Sequence, residues 1–489
     1  MVRNTISRRS PSIRDARLVH QIVVWVGQGI PLDRPGGSEG TPGIPSSGTG
    51  QERWQIDFDQ SVASNVAGII SLTLMSIITA SLLAPTVVWR VLLALAIAGS
   101  LSSTIFLIMV LAASRRYLRL ARTAHDRAAS IDPSSLPPVT ILKPVHGMEP
   151  RLRENLASFF LQDYPDYEIV LGAREADNAA LLAAEEVRQH YPQVKCRIVI
   201  SGPPTWPNAK VFSLDRMIEA SSNDYFVISD SDVVVAPDFL RNVIPPLLDH
   251  RVGLVTCPYR GVPAADFWSS LEALGMSVEM PSGVMVADMM EGMRFAMGAV
   301  MATRRDALTK IGGIAATADF YSDDFVLGNE VWGAGYKVVL SHHVVCHVLV
   351  PRSFQQTFGD QLRWMKSTRY SRPKGHVGSV LTFAMPFGVL GLASAAALGH
   401  LRLGIALLMW AFFNRVIQSI AVGWGVIRDP RALSLCWLYP MRDFQGFLTW
   451  VGSFTSRNFF WRGETYRFSE GGRIVPQHRH AESAGAHRL

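Results

Sequence analysis

The stretch Asp224–Val235, DYFVISDSDVVV, decides how the rest of the chain is read. Tyr225–Ser229 is aromatic and β-branched, which fits a strand, and it is apolar at both alternating positions, which fits one buried on both faces. The apolar run ends in Asp230 and Asp232, one residue apart, and resumes as Val233–Val235. Carboxylates at the deep end of a buried strand are costly unless something compensates them. The plain alternative is a solvated Asx turn. The compensating partner would be a divalent cation carrying phosphates, since Mg²⁺ takes one or two carboxylates together with phosphate oxygens.

Outward from this stretch, strands alternate with helices. VTILKP (Val139–Pro144) reads as a strand and LRENLASFFLQ (Leu152–Gln162) as an amphipathic helix. YEIVLGA (Tyr167–Ala173) and CRIVI (Cys196–Ile200) are further strands, with helices over Ala179–His190 and Lys210–Ala220. This alternation predicts an α/β domain with a parallel, doubly wound sheet from Pro137 to about Gly375. Such sheets bind ligands beyond the carboxyl ends of their strands, and Asp230 and Asp232 stand at one of those ends.

The flanks are of another kind. The chain has 489 residues, 48% of them hydrophobic, and a mean hydropathy of +0.17, above what a soluble domain needs. Val66–Trp89 and Val91–Ser114 are each long enough to span a bilayer and are split only by Arg90, which predicts a transmembrane hairpin over residues 65–114. Arginines on both sides of it (Arg14 and Arg17 before, Arg115 and Arg116 after) predict cytosolic flanks. Residues 377–456 predict a second set of membrane or interfacial helices. Its last piece, Leu433–Phe454, carries Arg442 and Asp443 and so reads as interfacial or packed against protein. Residues 1–64 read as a linker region without a signal peptide, with GGSEGTPGIPSSGTG (Gly36–Gly50) as its disordered centre. Residues 457–489 read as a cytosolic tail.

The net charge of +7 suits anionic lipid head groups, and no basic stretch interleaved with aromatics points to nucleic acid. Four scattered cysteines without a CxxC argue against structural zinc and a disulfide framework, and agree with a reducing cytosolic face. Forty Arg against seven Lys, beside abundant Ala, point to a GC-rich bacterial gene, hence to the bacterial inner membrane. In YKVVLSHHVVCHVLV (Tyr336–Val350) alternate residues point to opposite faces, so His342, His343 and His347 cannot converge on one metal.

Five segments, in order, resemble the membrane-bound ceramide glucosyltransferases and the related hopanoid glycosyltransferases, inverting enzymes with a GT-A fold. They are LKPVHGMEPRLRENLASFFLQDYPDYEIVLG (Leu142–Gly172), NAKVFSLDRMIEASSNDYFVISDSDVVVAPDFL (Asn208–Leu240), DFYSDDFVLGNEVWGAGYKV (Asp319–Val338), DQLRWMKSTR (Asp360–Arg369) and CWLYPMRDFQGFLTWVGSFTSRNFFWRGETYRF (Cys436–Phe468). The resemblance implies a Rossmann-like, doubly wound GT-A catalytic domain flanked by transmembrane helices. It implies a UDP-sugar donor, a lipid hydroxyl as acceptor, and Mg²⁺ or Mn²⁺ on Asp232 with help from Asp230. Nucleoside contact falls to Asp177 or Glu175. Lys143 and Lys210 are further candidates for nucleotide contact, or else surface lysines near strand ends. Asp324 is the expected base: Asp323 beside it would raise its pKa, while Ser322 or Asp323 could instead serve as a helix cap. Arg363 supplies a fixed cation for the diphosphate, and Trp364 an apolar wall near the acceptor or a core residue. Where the family's (Q/R)xxRW motif begins, this chain has Asp360, with Gln361 one position out of register. The methionine-dense Met276–Met301 suits a lipid-accepting groove or ordinary core.

The preferred expectation is therefore glucosyl transfer to ceramide. The alternatives are a hopanoid (N-acetylglucosaminyl) glycosyltransferase, a processive polysaccharide synthase with the same aspartates, a nucleotidyltransferase, or a non-catalytic membrane protein with a degenerate domain.

Overall fold

The computed structural model describes residues 60–461 and 463–477, with side chains from residue 85 onward. The Gly36–Gly50 linker lies outside the described residues, as do the last twelve positions of the expected tail.

The first element, α1 (Gln60–Ala129), carries Pro85. From Pro85 to Ala129 it is long and apolar enough to cross a membrane. The expected hairpin is not formed, because the backbone stays helical through Trp89, Arg90 and Val91. No Gly, Asn or Asp stands there to reverse the chain, and one arginine breaks no helical hydrogen bond. Val91, Leu95, Leu101, Ile105 and Ile108 point outward, exposed. About twenty residues cover the hydrocarbon of a bilayer, so the helix is long enough to continue to the sheet domain. There the Tyr117 hydroxyl donates to the Ser341 carbonyl at 2.9 Å.

The sheet domain begins with β1 (Val139–Pro144), α2 (Leu152–Phe160), β2 (Tyr167–Ala173), α3 (Ala179–His190), β3 (Lys195–Ile200), α4 (Ala209–Ala220) and β4 (Tyr225–Ser229). These strands run parallel to one another. The sheet is completed by β6 (Val252–Thr256), β8 (Val300–Arg304) and β9 (Lys337–Leu340), in the order β3-β2-β1-β4-β8-β6-β9. The expected doubly wound α/β arrangement holds with one amendment: β8 is antiparallel to both neighbours. Side-chain alternation builds a core on each face, with Ile141 and Val227 in one and Leu142, Phe226 and Ile228 in the other.

After Ser229 the chain leaves this sheet. β5 (Val233–Val234) pairs instead with β10 (Val345–Val348), which also pairs with β7 (Tyr259–Val262). The Asp230–Asp232 turn is thus the switch between two sheets. Three further helices belong to the domain: α5 (Phe267–Leu274), α6 (Met280–Glu291) and α7 (Asp323–Gly333).

α8 (Phe354–Ser371) leads from the sheets to the second apolar block, where α9 (Met385–Ala397) packs on α10 (Leu401–Gln418). Small residues set their approach: a Cβ at Gly404 would stand 2.9 Å from the Leu392 Cα. Leu401–Trp424 is a second helix able to cross a membrane, and Pro373–Thr382 with Met385–Ala397, bent by 54°, would make a third span. α11 (Tyr439–Gly452) buries Arg442, Asp443, Gln445 and Thr449 against protein, as its charges implied. Asp443 Oδ2 accepts from the Ala384 and Met385 amides at 3.0 and 2.8 Å, satisfying the start of α9.

The expected tail is partly a folded element. β11 (Asn458–Trp461), β12 (Glu464–Phe468) and β13 (Ile474–Pro476) form an antiparallel sheet. Phe459 stacks on Phe468 at 4.2 Å, and both pack edge-on against Tyr321. Arg473 pairs with Asp319 at 2.9 Å. Aromatic side chains recurring at alternate positions let this short piece bury a face on the segment before α7.

Candidate active site

A cavity of roughly 1460 Å³ runs from the carboxyl ends of the strands, past the Asp230–Asp232 turn and the start of α7, into the helical layer. Backbone contacts fix the turn. The Asp230 amide donates to the Ala299 carbonyl at 3.3 Å, and the Val348 amide to the Asp232 carbonyl at 2.8 Å.

Two lysines hold it, and neither is the surface lysine that was the plain alternative. Lys143 is completely buried below the turn, its ammonium donating to the Asp230 carbonyl and 3.9 Å above the Phe159 ring. Burial pushes its pKa down to about 7, against the pull of Asp232 and Asp230. It does not line the cavity, and it braces the turn from beneath. Lys210 does line it, as the second residue of α4. Asn208 caps that helix, accepting from the Lys210 and Val211 amides. Its Nζ lies 2.7 Å from Asp230 Oδ1 and 3.5 Å from Asp323 Oδ2. Burial works against its charge, but Asp230, Asp323 and Asp324 overcome that and hold it protonated.

Asp323 and Asp324 open α7. The N-cap position is Ser322, which makes no capping bond; its hydroxyl meets Ser367 at 2.6 Å instead. Asp323 pairs with Lys210 rather than capping. Asp324 Oδ1 accepts from the Phe325 amide at 2.8 Å, while Oδ2 faces Gly298, where a Cβ would stand 3.0 Å away. Burial, and then the neighbouring charge of Asp323, push Asp324 up to about 7, with Lys210 opposing. Asp232 is also raised, by burial first, while His347 Nε2 at 3.4 Å from its Oδ2 pulls the other way. The Asp232 Oδ1 is buried without a hydrogen-bond partner.

A model of glycosyl transferase family 21 matches residues 95–474. This chain belongs to that family. Ceramide glucosyltransferase 3 of Caenorhabditis elegans is 22% identical over 377 residues, covering 76% of this chain and 80% of the relative. A ceramide glucosyltransferase of Gibberella zeae is 30% identical over 159 residues, 29% of this chain and 30% of its own. The solved mannosyltransferase of Pyrobaculum calidifontis in complex with GDP-Man and Mn²⁺ overlaps 72% of this chain and 99% of its own, at 20% identity and a TM-score of 0.44.

The other expected site residues of this glycosyltransferase divide between those that line the cavity and those that do not. Glu175 and Asp177 lie exposed on the loop after β2 and do not line the cavity; Arg174 beside them does. Arg363 also stays out of the lining. Its Nε donates to the Tyr321 hydroxyl at 2.7 Å, and Asp360 bridges it to Arg352, at 2.9 and 2.7 Å. Asp360, the departure from the motif, thus neutralises two arginines. Trp364 lines the cavity half-exposed, with Gln361 buried beside it. The methionine stretch divides: Met276 and Met280 line the cavity, while Met285, Met293 and Met301 are core.

Two groups in the site escape a reading of the sequence. Glu149 lines the cavity, with Oε2 buried and unpartnered and its pKa raised by burial and then by Asp232. His347 reaches Asp232 alone of its run: His342 lies against Tyr117 and His343 against Phe239. Each depends on a pairing between segments far apart in sequence. Among the described residues no group of three or more His, Cys, Asp and Glu forms a ready-made metal cage. Two carboxylates in one turn, one with a buried unpartnered oxygen, nevertheless suit a cation whose other ligands are phosphate oxygens.

Proposed function

We propose that this glycosyltransferase moves glucose from UDP-glucose to the hydroxyl of a membrane lipid, ceramide preferred, with inversion at the anomeric carbon. The observation that carries the reading is Asp324, a carboxylate held near neutrality in a cavity that continues from the strand ends to helices long enough to cross a membrane. With Oδ1 occupied by the Phe325 amide, Oδ2 takes the proton of the acceptor hydroxyl. The acceptor oxygen bonds to the anomeric carbon as the bond from that carbon to the diphosphate breaks, its electron pair leaving on UDP. Attack opposite the leaving group inverts the centre. Mg²⁺ or Mn²⁺ bound by Asp230 and Asp232 would neutralise the diphosphate. Lys210 keeps Asp230 and Asp323 in place between donor and base. The catalytic domain faces the cytosol, where UDP-sugars are made, and draws its acceptor from the bilayer.

The test supplies UDP-glucose and ceramide to membranes carrying the wild type or Asp324→Asn, with mass spectrometry of the lipids. Glucosylceramide from the wild type alone supports both the reaction and the base. An active mutant removes Asp324 from that role. A product from a hopanoid polyol but not from ceramide moves the acceptor and keeps the mechanism.

A further inference from the structure

The cavity holds a second polar cluster, on elements other than the aspartate turn, to which nothing so far gives a role. Glu272 on α5 is 1% exposed, and neither carboxylate oxygen accepts a hydrogen bond. Gln361 on α8 is 3% exposed, with both amide atoms unpartnered. Arg442 on α11 is 8% exposed; its Nη2 pairs with Glu279 at 2.9 Å, but Nε and Nη1 have no acceptor. All three line the cavity. Buried polar atoms are satisfied in folded proteins nine times in ten or better, so three such side chains on one wall mark a place that a ligand completes.

The wall is built around these groups. Side chains at Gly275 and Gly446 would collide with or crowd the Arg442 guanidinium, so both glycines leave it room. Tyr259, Glu272 and Asp324 line the same cavity, so the cluster shares its space with the base. The chemistry of the wall selects its ligand. Glu272 asks for donors, Arg442 for acceptors and Gln361 for one of each. Glu272 and Glu279 stand against Arg442, while Asp360 answers Arg352, so the wall carries no excess of positive charge and an anionic head group would meet two carboxylates. Apolar Phe106 and Phe383 line the same cavity for a tail.

We infer that Glu272, Arg442 and Gln361 read the acceptor's head group: an uncharged lipid head bearing at least two hydroxyl or amide groups besides the hydroxyl that is glycosylated. This assignment rests on the lipid-acceptor reading above and makes the three residues specificity-determining rather than catalytic.

The test compares two acceptors of equal chain length, ceramide and a fatty alcohol with a single hydroxyl, using wild type, Glu272→Gln and Arg442→Lys in detergent or nanodiscs. A site built for hydrogen bonds rejects an analogue lacking them, so the wild type should favour ceramide by at least about 100-fold in kcat/KM. Each variant should lower that ratio by about tenfold or more, mainly through the KM for ceramide, while UDP binding stays within about twofold. Glu272→Gln should melt no lower than the wild type, because it removes a buried carboxylate that no donor satisfies. A variant that slows both acceptors equally, or leaves the preference untouched, overturns the assignment. So does a wild type that uses both lipids alike. A wild type that binds UDP but glycosylates neither of these lipids nor a hopanoid polyol overturns the lipid reading itself, and this assignment with it.

Discussion

The cavity has two polar regions that the protein treats in opposite ways. Around the Asp230–Asp232 turn the protein answers most of its own charges: Lys210 bridges Asp230 and Asp323, His347 faces Asp232, and Lys143 holds the turn from beneath. On the wall formed by Glu272, Gln361 and Arg442, donors and acceptors are buried and left open. The first region is organised before anything binds, as a site for developing charge must be if reorganisation is not to be paid at the moment of reaction. The second is completed from outside, which makes it a place for discrimination.

That contrast breaks most sharply at Asp324. Asp324→Asn should lower kcat by about 10²–10⁴ with UDP affinity unchanged, measured by lipid-product formation and by titration calorimetry. Equal losses in UDP affinity would make Asp324 part of the binding site instead. Lys210→Met removes the cation between the buried Asp323 and the half-buried Asp230. It should reduce unfolding free energy by about 3–5 kcal/mol in a denaturant titration, because it strands charges that the protein otherwise compensates. A loss below about 1 kcal/mol would mean that solvent already screens the pair.

A smaller effect is expected of acid. With Asp324 held up to about 7, the base is deprotonated only above that pH, so kcat should fall about tenfold per unit below it and level off above. The same shift acts on stability with the opposite sense. The folded chain keeps a proton that the unfolded chain has lost, so this group's contribution declines as pH rises from about 4 to 7. A kinetic limb near pH 4 would place Asp324 in water. The smallest effect belongs to Glu175→Ala and Asp177→Ala, which should leave kcat/KM within about twofold, as surface changes usually do. A larger loss would show that their loop moves onto the donor.

The sheet domain was legible because its signals are local. Apolar, β-branched strands, amphipathic helices and the break at Asp230 all lie within a few residues of sequence, and each kept its type. β8 was not recognised, since its antiparallel placement is set by pairing with β4 and β6 rather than by its own residues. The supposed hairpin at Arg90 failed for a related reason: hydropathy counts residues able to lie in lipid but says nothing of where the chain turns. The tail's small sheet was hidden because its aromatic face is buried against Tyr321 and Tyr370, which lie far from it in sequence.

By itself the sequence determined the α/β class, the apolar helices, the pair of carboxylates at a buried strand end and the acidic start of α7, because these depend on short-range pattern and on the cost of burying charge. Only the tertiary structure decided what each charge answers. It put Lys143 beneath the turn rather than at the surface, gave Arg363 to Asp360 and Tyr321, brought His347 to Asp232, and left Glu272, Gln361 and Arg442 unanswered on one wall. Electrostatic partnership falls off over a few ångströms in space, and residues as far apart in sequence as Asp232 and His347 come that close only when the chain has folded.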